Sequence, residues 1–410
     1  MHLFSIPVTA TLLACAACAP AVDRPVQSEP AAPSLVMDVQ TLCDAITTSY
    51  AYYEARASYW PAACESAQLA AKNLEEGGNA LGVLEVLIDD LYDPHISMNT
   101  NNQLSPRLLP SGSDLWVETV DGKFIVTAVR PDGGAANAGV AVGAELLSFN
   151  GLSPDALAAT RIHTVSTEAS PYRKHWALNA ALAGRRDQAR NIEVRQNGDP
   201  FLVDLGSPGP PSMADPVSSD RLDGEIGYIR FNNGLGNSAT VGAFNLALES
   251  LQSTNGLIID LRDTPGGGNT DVAEPILGRF ISEPTAYQKT VLDSSTEIDR
   301  MIRPTGDWTY EQPVIVLAGR WTGSMGEGMT IGFDGMQRAT VIGSKMGRLA
   351  GGTEPVQLPY TGVSLWFPTY DLRHLNGTPR HLWEPAISLI ADNGNEIDLA
   401  LDAALARLQE

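Results

Sequence analysis

Basic residues are scarce in this sequence. Its 410 residues include 27 lysines and arginines against 48 aspartates and glutamates, so the formal net charge is −21. Such a chain offers little basic surface to a phosphate backbone or to anionic lipids. We therefore expect no nucleic-acid partner. A long apolar run is also missing at the N-terminus, because the apolar stretch at residues 6–17 is too short to span a bilayer.

Cysteine is equally rare, and none follows residue 64 in the large remainder of the chain. Cys15 and Cys18 lie in an N-terminal segment whose apolar core resembles a secretory signal. Leu12–Cys15 resembles a bacterial lipobox, in which Cys15 would carry the lipid; cleavage near Ala19 is the alternative. We predict an exported protein of the bacterial periplasm or envelope that contacts membrane only through such an anchor.

Cys43 and Cys64 are the two cysteines outside this segment. An exported chain with one close cysteine pair favours a structural disulfide, and two buried free thiols are the alternative. Residues 22–33 are rich in proline and alanine, which is typical of a flexible tether. Residues 1–33 are therefore assigned to the signal and tether.

Residues 34–106 have the pattern of a small helical subdomain. Val39, Leu42 and Ile46 recur at helical spacing, and a second set of leucines does so between residues 81 and 91. The helical pattern ends at Asp93-Pro94, which leaves His95 on the following loop. Histidine is the side chain whose ordinary pKa suits a general base at neutral pH.

Residues 107–206 change to short strand-like runs with glycine turns. The stretch Ala138–Gly151 resembles the signature of PDZ domains and ends in Asn-Gly, a strong hairpin signal. A PDZ domain binds an extended peptide end by adding it to its sheet as a strand. The resemblance implies that this domain recruits substrate and performs no chemistry. The Pro-, Gly- and Ser-rich residues 206–214 mark its boundary.

Residues 215–410 alternate strand-like and helix-like runs, which predicts an α/β domain with a parallel core sheet. Predicted strands cover residues 226–231, 256–261, 314–317 and 339–343, and predicted helices cover 241–251 and 324–333. Ser324 stands between Gly323 and Met325, just past a buried strand. Backbone N–H groups at such a helix start can face a developing negative charge.

Four ordered motifs resemble those of the carboxyl-terminal-processing (tail-specific) and tricorn-core serine peptidases. They are Leu91–Ser97, Gly224–Phe231, Asp260–Gly267, and Ser324–Glu327 with Arg338–Gly343. The resemblance implies a crotonase-like (ClpP/crotonase) spiral core behind a helical subdomain and a PDZ-like domain. It also implies a serine-type peptidase with polypeptide substrates. No cluster of His, Cys or carboxylate residues has metal-ligand spacing, so we expect neither cofactor nor metal.

The family has two catalytic versions. In the Ser-Lys version the matching position is residue 349, which is leucine, and Lys345 comes four residues early. In the Ser-His-Glu version Ser324 is the nucleophile and His95 the base, and activity is expected to rise with an apparent pKa of roughly 6 to 7. The N–H of Met325 and one from Gly266-Gly267 would form the oxyanion hole.

The acid that orients the histidine is the weakest match. The family's glutamate would fall near Pro379 or Arg380, where the sequence has none, so Glu384 is the substitute candidate and Glu327 is expected to be structural. Glu384 pairing with Arg380, or simple solvation, is the alternative. We therefore expect an exported serine endopeptidase; the rival is a catalytically lapsed relative that binds peptides or apolar ligands.

Overall fold

The computed structural model describes most of the chain after the N-terminal segment. The described ranges are residues 34–163, 170–210, 213–293, 295–389 and 398–410. Ser34–Glu410 form one compact unit, whereas the predicted signal, tether and Cys15 lie outside the described residues. No helix in the described part is long and apolar enough to cross a membrane.

Three helices begin the described chain, as the periodicity predicts. They are α1 (Leu35–Ser49), α2 (Trp60–Asn73) and α3 (Ala80–Asp89). Val39, Leu42 and Ile46 are fully buried on one face of α1. Cys43 on α1 and Cys64 on α2 form a disulfide that joins the two helices.

A five-stranded antiparallel sheet follows, in the order β2-β3-β4-β5-β6. Its strands are β2 (Leu115–Val120), β3 (Lys123–Val129), β4 (Glu145–Phe149), β5 (Asn191–Gln196) and β6 (Asp199–Asp204). The helices of this region are α4 (Gly134–Asn137), α5 (Pro154–Ala159) and α6 (Pro171–Ala183). We call this the β2–β6 sheet. Helix α6, which the sequence patterns did not predict, packs against the edge strand β2.

The core sheet has six strands in the order β16-β13-β12-β9-β8-β7. The strands are β7 (Val217–Leu222), β8 (Ile226–Phe231), β9 (Gly256–Asp260), β12 (Val314–Ala318), β13 (Thr340–Gly343) and β16 (Ile387–Ser388). All neighbours pair in parallel except β7, an antiparallel edge strand. Four of these strands match predicted ones within a residue.

Helices α7 (Ala239–Ser250), α8 (Thr270–Leu277), α9 (Met325–Gly335) and α10 (Leu399–Leu408) belong to the same α/β region. Aromatic rings from α7, α9 and β8 meet in its largest hydrophobic cluster, where Phe231, Phe244 and Phe333 are fully buried. Since β9 and β12 are adjacent and parallel, the loops at their carboxyl ends lie side by side. In open α/β sheets this edge is where ligands bind.

A third sheet was not predicted from the sequence. It contains β1 (Ser97–Met98), β10 (Thr285–Asp293), β11 (Thr296–Ile302), β14 (Gly352–Gln357) and β15 (Ser364–Arg373), all paired antiparallel. Strand β1 pairs with β15, which fixes the chain directly after His95. The residues just before β14 form the segment that faces His95.

Candidate active site

Ser324 lies at the amino end of α9, in the loop that follows β12. Every residue of β12 is buried, so the strand fixes the start of this loop firmly. Ser324 itself has φ +49° and ψ −108°, a conformation that non-glycine residues rarely adopt. Strained backbone of this kind persists where the surrounding structure over-determines it, as at many active sites.

The side chains of Ser324 and His95 are in hydrogen-bond contact. His95 Nε2 lies 2.9 Å from Ser324 Oγ, although the two residues are 229 positions apart in sequence. His95 Nδ1 lies 2.6 Å from the carbonyl oxygen of Ala350. A carbonyl can only accept, so Nδ1 carries the proton and Nε2 is free to accept the Ser324 hydroxyl proton. The histidine therefore has the tautomer that a base for Ser324 requires.

The loop that carries His95 is fixed by Asp93. One carboxylate oxygen of Asp93 accepts the His95 backbone N–H at 2.8 Å, and the other accepts the Tyr50 hydroxyl at 2.8 Å. Asp93 is buried. Burial raises its pKa, and the hydrogen bonds from the His95 amide and from Tyr50 oppose that shift. Tyr50, at the C-cap of α1, thus helps to place the histidine.

Arg380 holds the segment that receives His95. Its Nη2 donates to the carbonyls of Leu349, at 2.8 Å, and Gly351, at 2.7 Å, which flank Ala350. Arg380 is buried and is the first residue of a short 3₁₀-helix. Arg380 therefore fixes the segment whose Ala350 carbonyl contacts His95. The family pattern has a glutamate near this position.

Glu327 binds three backbone N–H groups around the site. Its carboxylate accepts from Ser324 at 2.8 Å, from Arg348 at 2.9 Å and from Leu349 at 3.1 Å. Glu327 is fully buried. It therefore ties the nucleophile loop to the segment that carries Ala350.

Desolvation shifts the pKa of both titratable groups beside Ser324. It lowers the pKa of His95 to about 3, and the nearby Arg380 guanidinium acts in the same direction. It raises the pKa of Glu327 to about 7, against the opposing effect of Arg380 and of the three backbone hydrogen bonds. His95 is consequently neutral at physiological pH, whereas Glu327 changes charge near it.

Gly267 brings the backbone of a second loop against Ser324. A Cβ built on Gly267 would lie 2.5 Å from Ser324 Cβ, and its φ is +61°, so only glycine fits this position without strain. The amide of Gly267 bonds the Thr264 carbonyl at 3.1 Å, and that of Gly266 bonds Asn233 Oδ1 at 2.8 Å. Both amides therefore have acceptors within the protein in this structure, and their oxyanion role stays a prediction.

Met325 contributes the predicted donor that remains available. Among the described residues, no hydrogen-bond acceptor contacts the Met325 amide. This N–H lies at the amino end of α9, where the helix dipole favours negative charge. Of the predicted oxyanion donors, Met325 is thus the one whose N–H has no acceptor among the described residues.

Residues 225–382 match the model of peptidase family S41. The chain contains a peptidase family S41 domain. This match supports a serine-type peptidase, a hydrolase. The matched range includes Gly266, Gly267, Ser324 and Glu327, whereas His95 lies before it.

Solved structures of low sequence identity share the fold. Mature CPAF complexed with lactacystin aligns with a TM-score of 0.59 at 16% identity, covering 92% of this chain and 97% of that chain. The photosystem II D1 C-terminal processing protease aligns with a TM-score of 0.57 at 16% identity, covering 92% and 98%. The likeness therefore extends well beyond the S41 domain, to nearly the whole described chain.

Glu384 is not the orienting acid of this S41 domain. Its carboxylate accepts from Arg348 Nη2 at 2.9 Å, and 47% of its side chain is exposed to solvent. Position 350 supplies a main-chain carbonyl to His95 instead. The prediction of Glu384 as a substitute acid is wrong because this side chain lies at the surface beside Arg348, whereas the position that the residue count indicated holds Arg380.

Lys345 and two further histidines that could replace His95 as base have other surroundings. His374 contacts Asp334 at 3.0 Å, and His381 packs edge-on against Tyr52 with ring centroids 5.7 Å apart. Lys345 makes no contact with Ser324 among the described hydrogen bonds and ion pairs. In the part of the chain that the structure describes, no group of three or more His, Cys, Asp or Glu residues could hold a metal ion.

Sequence reasoning missed two groups of the site and underrated a third. Ala350 acts through its carbonyl, which no residue type signals. Arg380 was noted only because the family pattern has a glutamate near this position, and its bonds to the carbonyls of Leu349 and Gly351 were not foreseen. Glu327 was expected to be structural, but the spacing Ser-x-x-Glu from Ser324 to Glu327 is a known helix-start signature and could have shown the bond to the Ser324 amide.

Proposed function

We propose that the protein is an exported serine endopeptidase that cuts unfolded or tail-exposed polypeptides, with Ser324 as nucleophile and His95 as base. The observation that carries this proposal is the 2.9 Å contact between His95 Nε2 and Ser324 Oγ. A contact of this length is what a nucleophile and its general base require. It joins two motifs that the sequence separates by the whole β2–β6 sheet.

The mechanism follows from the hydrogen bonds. Ser324 Oγ attacks the peptide carbonyl while His95 Nε2 takes its proton, and the imidazolium later gives that proton to the leaving amine. The Ala350 carbonyl, 2.6 Å from Nδ1, holds the ring in place and interacts favourably with the charged imidazolium. The Met325 N–H faces the negative charge that develops on the substrate oxygen.

The rival function is that of a binding module whose hydrolytic site has decayed. The imidazole ring of His95 has no carboxylate partner among the described hydrogen bonds, and this favours the rival. The Ser324–His95 contact and the close approach of the Gly267 backbone to Ser324 favour the enzyme. The two readings separate in one assay. Purified protein should fragment a reduced, carboxymethylated polypeptide over time, and the binding-module reading predicts an intact substrate.

The pH dependence of hydrolysis should be set by Glu327 and not by His95. Glu327, with a pKa raised to about 7, must be ionised for both oxygens to accept N–H groups, so activity should fall as the pH drops through about 7. His95, with a pKa lowered to about 3, remains neutral over this interval. This revises the expectation that the histidine sets the profile.

The measurement is kcat/KM from pH 5 to 9 for the wild type and for Glu327→Gln. The variant should keep part of the activity and lose the acid limb near 7, because its amide does not titrate. An acid limb that persists unchanged in Glu327→Gln would assign it to another group, His95 first.

The remaining parts of the proposal concern architecture and location. The disulfide between Cys43 and Cys64 supports an oxidising compartment, and with it the exported lipoprotein proposed from Cys15. The β2–β6 sheet and the tight turn at Asn150-Gly151 after β4 support a PDZ-like domain over residues 107–206. The parallel core sheet over residues 215–410 supports a crotonase-like core.

A further inference from the structure

The outer edge of β2 is already occupied. Asn179, on α6, accepts the Val117 N–H at 2.9 Å and donates to the Val117 carbonyl at 3.0 Å. These two backbone groups lie on the edge strand of the β2–β6 sheet, and an added peptide strand would need them. Asn179 is 1% exposed. A substrate strand therefore cannot pair at Val117 unless it displaces this side chain and the helix that carries it.

The same sheet also contacts the loop that leads to Ser324. Trp321, three residues before the serine, is buried in the hydrophobic cluster of the β2–β6 sheet. Its Nε1 donates to the Ser113 carbonyl at 2.8 Å, just before β2 begins. The nucleophile loop connects β12 and α9, which belong to the α/β region. Its Trp321 side chain nevertheless packs in the hydrophobic cluster of the β2–β6 sheet.

Arg320 adds a charged contact at the same place. Its guanidinium lies 4.7 Å from the centre of the Trp116 ring, and Nη2 donates to Glu118 Oε1 at 3.1 Å. Nη1 donates to the Met346 carbonyl at 3.3 Å. The Arg320 side chain is 6% exposed. A charge buried this deeply depends on its partners, so Arg320 fixes the nucleophile loop to β2 in one position.

The second loop of the site is held by the same sheet. Arg130, at the end of β3, binds Asp263 with Nη2 to Oδ1 at 2.6 Å. Asp263 begins the turn that leads to Gly266 and Gly267, the glycines beside Ser324. Both loops that build the candidate active site are therefore anchored to the β2–β6 sheet by buried or half-buried ion pairs.

We propose that the β2–β6 sheet is a fixed support of the active centre and that Arg320 is a positioning residue for Ser324, acting on every substrate whatever its length. This proposal rests on the proposed function. It reverses the expectation that the PDZ-like region only recruits polypeptides. Under that expectation, loosening the sheet would spare a small ester; here it impairs hydrolysis of the ester and of the polypeptide alike.

The test compares Arg320→Met with Arg338→Met. Arg338 is the matched control, because it also donates to main-chain carbonyls and lies over an aromatic ring, Phe280, but at the far end of α9. For p-nitrophenyl acetate and for a carboxymethylated polypeptide, Arg320→Met should lower kcat by about 10- to 100-fold with little change in KM. Arg338→Met should keep kcat within about twofold even where its melting temperature drops equally.

Two further variants keep the test decisive. Arg320→Lys, which retains a charge for Glu118, should recover part of the lost kcat. Arg130→Met, which loosens the other loop, should repeat the loss on the small ester. If Arg320→Met leaves ester kcat unchanged and raises only the polypeptide KM, the sheet is a recruitment module and the proposal is wrong. Equal kcat losses in Arg320→Met and Arg338→Met would mean that both variants act by general destabilisation. This result would also contradict the positioning role of Arg320.

Failure of this inference is distinguishable from failure of the proposed function. A wild type that hydrolyses neither substrate contradicts the serine-peptidase mechanism itself. A wild type that hydrolyses both, with an Arg320→Met variant of equal kcat, contradicts only the positioning role.

Discussion

Replacing Ser324 or His95 by alanine is expected to lower kcat by about 10³-fold or more, because nucleophile and base act as one unit. The reason is the 2.9 Å contact between His95 Nε2 and Ser324 Oγ. The double variant should lose no more than either single one. Steady-state kinetics on a carboxymethylated polypeptide measures all three.

Lys345→Ala is the control for the Ser-Lys version of the chemistry. It should leave kcat close to the wild-type value, since no described contact joins Lys345 to Ser324. Loss of turnover in Lys345→Ala, with activity retained in His95→Ala, would contradict the assignment of the base. A silent Ser324→Ala would contradict both versions and favour the binding module.

Glu327→Leu is expected to have the second largest effect. The substitution leaves the buried N–H groups of Ser324, Arg348 and Leu349 without their acceptor, at a cost of about 1–3 kcal/mol for each unpaired group. Both loops should relax, and a displacement of about 1 Å at the nucleophile can cost about 10²-fold in rate. We therefore expect kcat to fall by about 10²-fold together with a lower melting temperature.

Glu384→Gln is the matched control, because Glu384 binds the side chain of the same Arg348 whose backbone Glu327 binds. It is exposed and outside the network of His95, so kcat should stay within about twofold. A large kcat loss in Glu384→Gln with an active Glu327→Leu would restore Glu384 as the functional acid. Thermal melting of both variants separates the stability effect from the kinetic one.

The fold was most predictable where burial alone decides the pattern. Strands β9 and β12 are buried on both faces, so they read as continuous apolar runs and were found within a residue. The hairpin of β10 and β11 was missed, because β11 reads Thr-Glu-Ile-Asp-Arg-Met-Ile and is largely exposed. Strand β11 is defined by its pairing with β10, and the hydrophobic pattern of residues 296–302 alone does not indicate this pairing.

The site was predictable where a side chain performs the chemistry. Ser324 and His95 stand in motifs whose residue types fit their roles, and the structure brings them into contact. The partner of His95 could not be found in this way, because Ala350 contributes a main-chain oxygen. Arg380 positions that oxygen through two neighbouring carbonyls, a role that depends on the folded path of residues 349–351.

The central claim is that Ser324 is a nucleophile activated by His95, and covalent labelling tests it most directly. A fluorophosphonate probe reacts with an activated serine, and trypsin releases residues 321–338 as one peptide in which Ser324 is the only serine. We expect the label on this peptide in the folded wild type, none in Ser324→Ala or in heat-denatured protein, and slow labelling in His95→Ala. Label on another peptide, no label at all, or wild-type labelling of His95→Ala would contradict the account.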